Sequence, residues 1–262
     1  MSMLVAAVKA EGFEPPGLAD FWQPYFGDGA FAITRPMTLM VFSTVLIVVG
    51  MLAVTKKLAV VPSKSQMATE GLYDLVRNSI ARDILGSKEF LRFVPLLFAM
   101  FMLILVNNLF GVIPVIQYPT MSRIGFPIAI TMVVFAVYLF LGMRRQGVWG
   151  YLKGLVPPGL PSWIIPLFFF LEILTFFFTR PVTLALRLFG NMFAGHLLLL
   201  LMALGGEYML LHGGPALKVM SIGPFAMNLV LTVFELLVEF LQAYIFTLLA
   251  ALYIAGSLAD EH

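Results

Sequence analysis

The chain contains no cysteine in its 262 residues. That absence excludes a disulfide framework, a thiolate metal site and a cysteine nucleophile. Histidine is scarce as well: of three in the chain, one falls in a long apolar stretch, which argues against a metal centre. Charge is the largest deficit. Asp, Glu, Lys and Arg together make up 11% of the residues, where a soluble domain averages about 25%. No Gly-x-x-x-x-Gly-Lys-Ser/Thr loop is present, so any nucleotide chemistry must lie on partners. No cofactor, no metal and no nucleic acid partner is expected. The only early apolar run, Leu4 to Val8, is shorter than the roughly 7–15 residues of a cleavable signal. The first span is therefore expected to direct its own insertion. No repeat at a period of about 20–50 residues is visible, and no inverted repeat of the transporter kind.

What the chain has instead is apolar length. It is 61% hydrophobic, with 25 Phe and a mean hydropathy of +0.98. This composition reads as an all-α membrane protein, with about five membrane-inserted helices. The expected organisation is an N-terminal extracytoplasmic segment, 1–36, a single helical membrane domain, 37–258, and a short cytoplasmic tail, 259–262. The first segment holds Pro15-Pro16-Gly17 and the aromatics Phe21, Trp22, Tyr25 and Phe26, which suit a membrane–water interface or a partly ordered tail.

Met37 to Val54 reads as the first span, closed by Lys56 and Lys57. Ser63, with Gln66 three residues on, fits a capping box. From there Met67, Leu72, Leu75, Val76, Ile80 and Ile84 share a helical face, while Glu70, Asp74, Arg77, Asn78 and Arg82 fall elsewhere. That pattern predicts an amphipathic helix on the membrane surface or docked on a partner; it is too polar to span. Phe93 to Ile113 is the second span, ended by Pro114. Phe126 to Met143 is the third, followed by Arg144-Arg145 and a Gly/Pro-rich connector from Gly147 to Pro161.

The last two apolar runs are too long for simple spans. Trp163 to Leu204 would extend about 63 Å as one helix, and Ser221 to Ser257 about 55 Å, against a hydrocarbon core of about 30 Å. Tilts of about 20° do not absorb the excess. Either the first run turns back near Arg180-Pro181, or it is one steep helix. A lone proline usually kinks a helix without reversing it. The expectation is therefore two strongly inclined helices joined by a loop from Gly205 to Pro215. Lys56, Lys57, Lys64, Arg77, Arg82, Lys88, Arg92, Arg144, Arg145 and Lys153 fall on one side. Lys9, Arg35, Arg123 and Lys218 fall on the other. The richer side is expected to be cytoplasmic, with the N-terminus outside and the C-terminus inside.

Within the long run stand Arg180, Arg187, Asn191 and His196. A charge near a bilayer centre costs at least about 2.5–3.5 kcal/mol, and Arg does not escape by deprotonating. Arg180, beside Pro181, reads equally as an interfacial side chain with its head in water. Arg187 lies well inside the run and reads as functional. It shares a face with Thr183, Asn191 and Ala194, whereas His196 lies about 180° around the helix. In the final run Asn228, Thr232, Glu235, Glu239 and Gln242 step by four, three, four and three, which stacks them on one face. Polar stripes also glue helices together, and that reading suits Asn228 and Thr232. Carboxyl groups shielded from water hold protons to higher pH and can carry them near neutrality. A His196–Glu235 proton relay is the favoured reading of the titratable groups, with packing histidine as the plainer one.

These residues resemble the a subunits of rotary F-type ATP synthases. Thr183-Leu184-Ala185-Leu186-Arg187-Leu188-Phe189-Gly190-Asn191-Met192 fits that family's signature throughout. Pro166, Glu172, Arg180-Pro181 and Ala194-Gly195-His196 match beside it, as do Asn108 to Pro114 and Glu235 to Tyr244. The similarity covers about 37–258. It implies a stator subunit beside a ring of c subunits, with peripheral-stalk b subunits and the rest of the complex as partners, in a bacterial inner membrane. It implies two offset aqueous half-channels serving that ring. Arg187 would match the arginine facing the ring carboxylate. His196 and Glu235 would match a polar pair in the outer half-channel, and Asn191 and Gln242 positions lining the pathway. Glu239 departs from the pattern, since relatives commonly carry a small or apolar residue there; an added proton site is one reading. The chain would have no catalytic site of its own. The rival readings are a self-contained secondary transporter or channel, which needs broken helices at mid-membrane, and a passive scaffold.

Overall fold

A computed structural model describes residues 13, 15–17, 24–26, 33–56, 58–113, 116–154, 161 and 163–258. Lys9, Phe21, Trp22, Lys57, Pro114, residues 155–160 and the Asp260-Glu261-His262 tail, which the sequence reading used, lie outside the described residues.

Strands β1 (Pro24–Phe26) and β2 (Ile33–Thr34) pair antiparallel and lead straight into helix α1 (Arg35–Thr55). Pro36 sits in its first turn, where a missing N–H is no loss. The helix is the first span expected. Its buried residues are Pro36 and Ser43; the rest are exposed or partly exposed.

Helix α2 (Lys64–Asp74) starts at Ser63, whose hydroxyl accepts from the Gln66 backbone N–H. Only half of the capping box forms. The Gln66 amide group turns instead to Ala59, donating to its carbonyl and accepting from its N–H, and donates to Glu70. A π-helical segment (Leu75–Arg82) carries α2 into α3 (Asp83–Leu109). Gly86, at φ 74 and ψ 167, breaks that run. Tyr73 stacks edge-on to Phe98 at 5.4 Å, so the arms before and after Gly86 fold back on one another. The amphipathic stretch exists, but its apolar face is spent on the protein: Val76, Ile80 and Ala81 are fully buried, while Met67 is exposed.

Helix α4 (Gly125–Lys153) contains the third span and repeats the device. Gly147, at φ 73 and ψ 162, bends it. The start of the expected connector is therefore helical as far as Lys153. Tyr151 folds back over Gly142, leaving no room there for a Cβ.

The long run is one helical rod. Helix α5 (Ile165–Leu174), a π-helical segment (Thr175–Thr179) and α6 (Arg180–His212) follow without a turn. The π segment lies just before Pro181, where the ring removes a donor and crowds the preceding turn; a wider turn accommodates both. The expected loop from Gly205 is also corrected. Helix α6 continues to His212 and turns at Gly213 and Gly214. Gly206 is instead a contact, with Phe225 and Pro224 about 3.2–3.3 Å from where its Cβ would be. Helices α7 (Pro215–Met220) and α8 (Ile222–Leu258) form the return arm.

Helix α8 packs against α3, α4 and α6, and this sets the core. Leu97, Phe101 and Ile104 meet Leu184, Leu188, Met192, Phe246, Ala250 and Ile254 there, all buried. Lipid is as apolar as leucine, so in a bilayer such helices associate through close packing and interhelical hydrogen bonds. One such network is buried between α1 and the end of α3. Asn107 donates to the Ser43 hydroxyl at 2.8 Å and accepts from Thr120 at 2.5 Å. Among the described residues, five helical stretches are long and apolar enough to cross a membrane: Arg35–Thr55, Lys64–Leu109, Gly125–Tyr151, Ile165–His212 and Pro215–Leu258.

Candidate functional site: the α6–α8 hairpin

The register of the final hairpin is fixed by four contacts. Arg180 lies over the Tyr253 ring at 5.7 Å. The Asn191 amide donates to Gln242 at 2.7 Å. Gly195 faces the Glu235 carboxyl, and Gly206 faces Phe225. Residue numbers fall on one arm as they rise on the other, so the arms run antiparallel.

Helix α6 then shows two faces. Thr183, Arg187, Asn191 and Ala194 are exposed, and Leu184, Leu188, Met192 and His196 are buried. The spacing of the sequence predicted this split, because residues three or four apart share a face. Arg187 and His196 do address different surroundings. The ion pair recorded in this hairpin among the described residues is between Arg180 and Glu172, at 3.3 Å, not one to Arg187. Arg180 is also held over Phe176 at 5.0 Å.

The polar ladder of α8 turns inward. Glu235 is 7% exposed, Glu239 1% and Gln242 2%, and His196 opposite is 7%. Glu235 fits because residue 195 is glycine: a Cβ there would collide with its carboxyl. Gly195 was quoted in the sequence reading only as part of a motif. The signal for its role was its position one residue before His196, on a helix that needs no flexibility there. Asn108, at the end of α3, donates to the Glu239 carbonyl at 3.5 Å. A Cβ at Gly111 would lie 3.2 Å from the Glu239 Oε1.

A cavity of about 150 Å³ opens beside this ladder. Gly111, Val112 and Gln117 line it from the α3–α4 loop, His196, Leu199, Leu200 and Ala203 from α6, and Asn228 and Thr232 from α8. Asn228 and Thr232, read from sequence as helix glue, thus line a polar space. Arg35 was read as a loop cation. It donates to the Ile116 carbonyl at 2.5 Å, lies over the Tyr118 ring at 5.4 Å and acts on His196 electrostatically. Burial pushes the Tyr118 phenol up to about 12, against the pull of Arg123 and Arg35, so it stays neutral. Gln117, at φ 42, lines the cavity from this loop.

The site therefore comprises an exposed cation face, a buried file of two carboxyls and amides, and a polar cavity meeting that file at one end. Asn191 is hydrogen-bonded to Gln242, with Glu239 and Glu235 following on the buried face of α8; Arg187 stands with Asn191 on the exposed face of α6, turned away from His196.

Known proteins share this sequence pattern. A sequence model described as ATP synthase A chain matches residues 37–255. An ATP synthase subunit a from Nocardioides is 43% identical, covering 99% of this chain and 98% of its own length. That of Pseudarthrobacter chlorophenolicus is 38% identical over 99% of this chain and all of its own length. That of Streptomyces lividans is 38% identical, covering 96% of this chain and 90% of its own length.

Proposed function

Since the chain belongs to the ATP synthase A chain family, a multi-pass membrane subunit of ATP synthase, we propose that it is the proton-conducting stator of a rotary F-type complex. Arg187 faces a carboxyl on a ring of c subunits. The observation that carries this reading is the split of α6: Arg187, Thr183 and Asn191 are exposed in the chain alone, inside a stretch apolar enough to span. A permanent cation is not left facing lipid, so a partner with a carboxylate belongs there.

Protons enter from outside through the cavity at His196 and the Glu235 carboxyl, pass Gln242 and Asn191, and protonate the ring. The ring turns, and the proton leaves on the cytoplasmic side of Arg187. Arg187 cannot relay a proton. It keeps the arriving ring carboxyl ionised and blocks a direct leak between the two half-channels. Each proton crossing 100 mV releases about 2.3 kcal/mol, so several serve each ATP. The chemistry of ATP lies on other subunits, and this chain has no catalytic site.

In this reading residues 37–258 act as one membrane domain in a bacterial inner membrane. Residues 1–36 lie outside and 259–262 in the cytoplasm. The rod Ile165–His212 is about 72 Å long at about 1.5 Å per residue, so it and α8 incline strongly across a core of about 30 Å. The α2 stretch, with its polar face outward, lies at the cytoplasmic surface. The exposed apolar face of α1 meets lipid and the peripheral-stalk b subunits. Replacing Arg187 with Ala and measuring ATP-driven proton pumping in inverted membrane vesicles tests the central claim. Pumping is expected to fall to background; coupled pumping at the unchanged rate would overturn it.

A further inference from the structure

Along α8 the Glu235 and Gln242 side chains are seven residues apart, about 10 Å along the axis. A hydrogen bond reaches about 3 Å, so no proton crosses that interval in one step. Glu239 stands between them, 1% exposed. Its Oε2 has no hydrogen-bond partner among the described residues. The same is true of the Gln242 Nε2 and the Asn108 Oδ1, on residues 2% and 0% exposed. A carboxyl, an amide donor and an amide acceptor are thus buried and unanswered where α3 meets α8. Buried polar groups of this kind are ordinarily met by internal water, which needs two to four polar partners.

The surroundings suit water. Asn108 is anchored by its bond to the Glu239 carbonyl, and Gln242 by the bond it accepts from Asn191. The free ends of both amides therefore remain for a guest. Gly111 stands against the Glu239 Oε1 and also lines the His196 cavity, so one residue without a side chain borders both.

We propose that Glu239, with Asn108 and Gln242, forms a buried water-holding proton station between Glu235 and the Asn191–Gln242 pair. A bridging water on the Glu235 side gives a proton to the Glu239 carboxylate as it takes one from the protonated Glu235 carboxyl, which is reloaded from the side of the His196 cavity. Glu239 then gives its proton to a second water held by the Gln242 Nε2, and that water passes one of its own protons on toward Asn191. The two amides orient the waters and carry no proton. No bond other than O–H is made or broken. This rests on the reading of the hairpin as a proton path.

The test uses the whole complex in inverted vesicles, with Glu239→Gln, Glu235→Gln and Arg187→Ala side by side. Glu239→Gln keeps the shape and the water contacts but cannot take up a proton. It is expected to lower ATP-driven proton pumping about tenfold with the amount of assembled complex unchanged. Pumping within about twofold of the unchanged complex overturns the station. If Arg187→Ala still pumps, the path reading itself has failed; if Arg187→Ala is silent and Glu239→Gln is normal, only the station has. A second arm reads water directly. The chain has no cysteine, so Glu239→Cys supplies its only thiol, with Ala250→Cys, from the dry core, as reference. A small water-borne thiol reagent is expected to modify the first about tenfold faster. Equal rates mean that position 239 is dry, which overturns the proposal even if Glu239→Gln fails to assemble.

Discussion

Gly195 shows how little of a residue's task its type reveals. In a helix interior glycine costs about 1 kcal/mol relative to alanine, so propensity alone favours replacing it. The hairpin reverses that judgement, because a Cβ at 195 would enter the space of the Glu235 carboxyl. Gly195→Ala is expected to keep or raise helix stability yet lower proton pumping about tenfold, since small displacements at a reacting group are costly. Glu235→Asp in the same chain, one methylene shorter, is expected to restore part of the loss. Vesicle pumping assays on the two variants check this, and normal pumping in Gly195→Ala would refute the close approach. The face of Arg187, by contrast, was legible from sequence, because it follows from the helical period alone.

At the scale of elements, glycines and prolines were the least legible signals. Gly86 and Gly147 both sit at positive φ with ψ near 160–170°, a region almost closed to other residues. They fold α2 back on α3 and the end of α4 back on itself. Gly205 and Gly206 read as a loop but lie inside α6, because Gly206 serves close packing against Phe225. Nothing in the local sequence separates these uses; the neighbour that needs the space is some twenty residues away on α8. Gly147→Ala is expected to destabilise the fold by about 1–3 kcal/mol. It would also release the contact of Tyr151 with Ser257, a 3.1 Å hydroxyl pair at the end of α8. Thermal unfolding of the detergent-purified complex measures this, and an unchanged midpoint would mean that the backbone there is not strained by a side chain. Pro181 was read correctly as a non-reversing position. The π-helical segment before it was not foreseen, since it depends on how the widened turn packs.

For the whole molecule, the helices sort into two ends. Arg180, Tyr253, Tyr151 and Ser257 gather at one, through the contacts of α8. Arg35, Tyr118 and the turn at Gly213 mark the other, together with the His196 cavity. The proposed orientation gives a direct expectation. A membrane-impermeant thiol reagent should label Ser87→Cys only from the cytoplasmic side and Gly214→Cys only from outside. Labelling of both from one side would contradict the five-span topology.

Sequence alone determined the all-α membrane class, the five apolar stretches, the cation face of α6 and the polar face of α8. These depend on composition and on period, both of which are local quantities. The tertiary structure decided which face turns inward, that Gly195 and Gly111 make room for carboxyls, and that Asn108 meets Glu239. Those outcomes require two distant segments to occupy the same few ångströms, and no single stretch of chain encodes the shape of its neighbour.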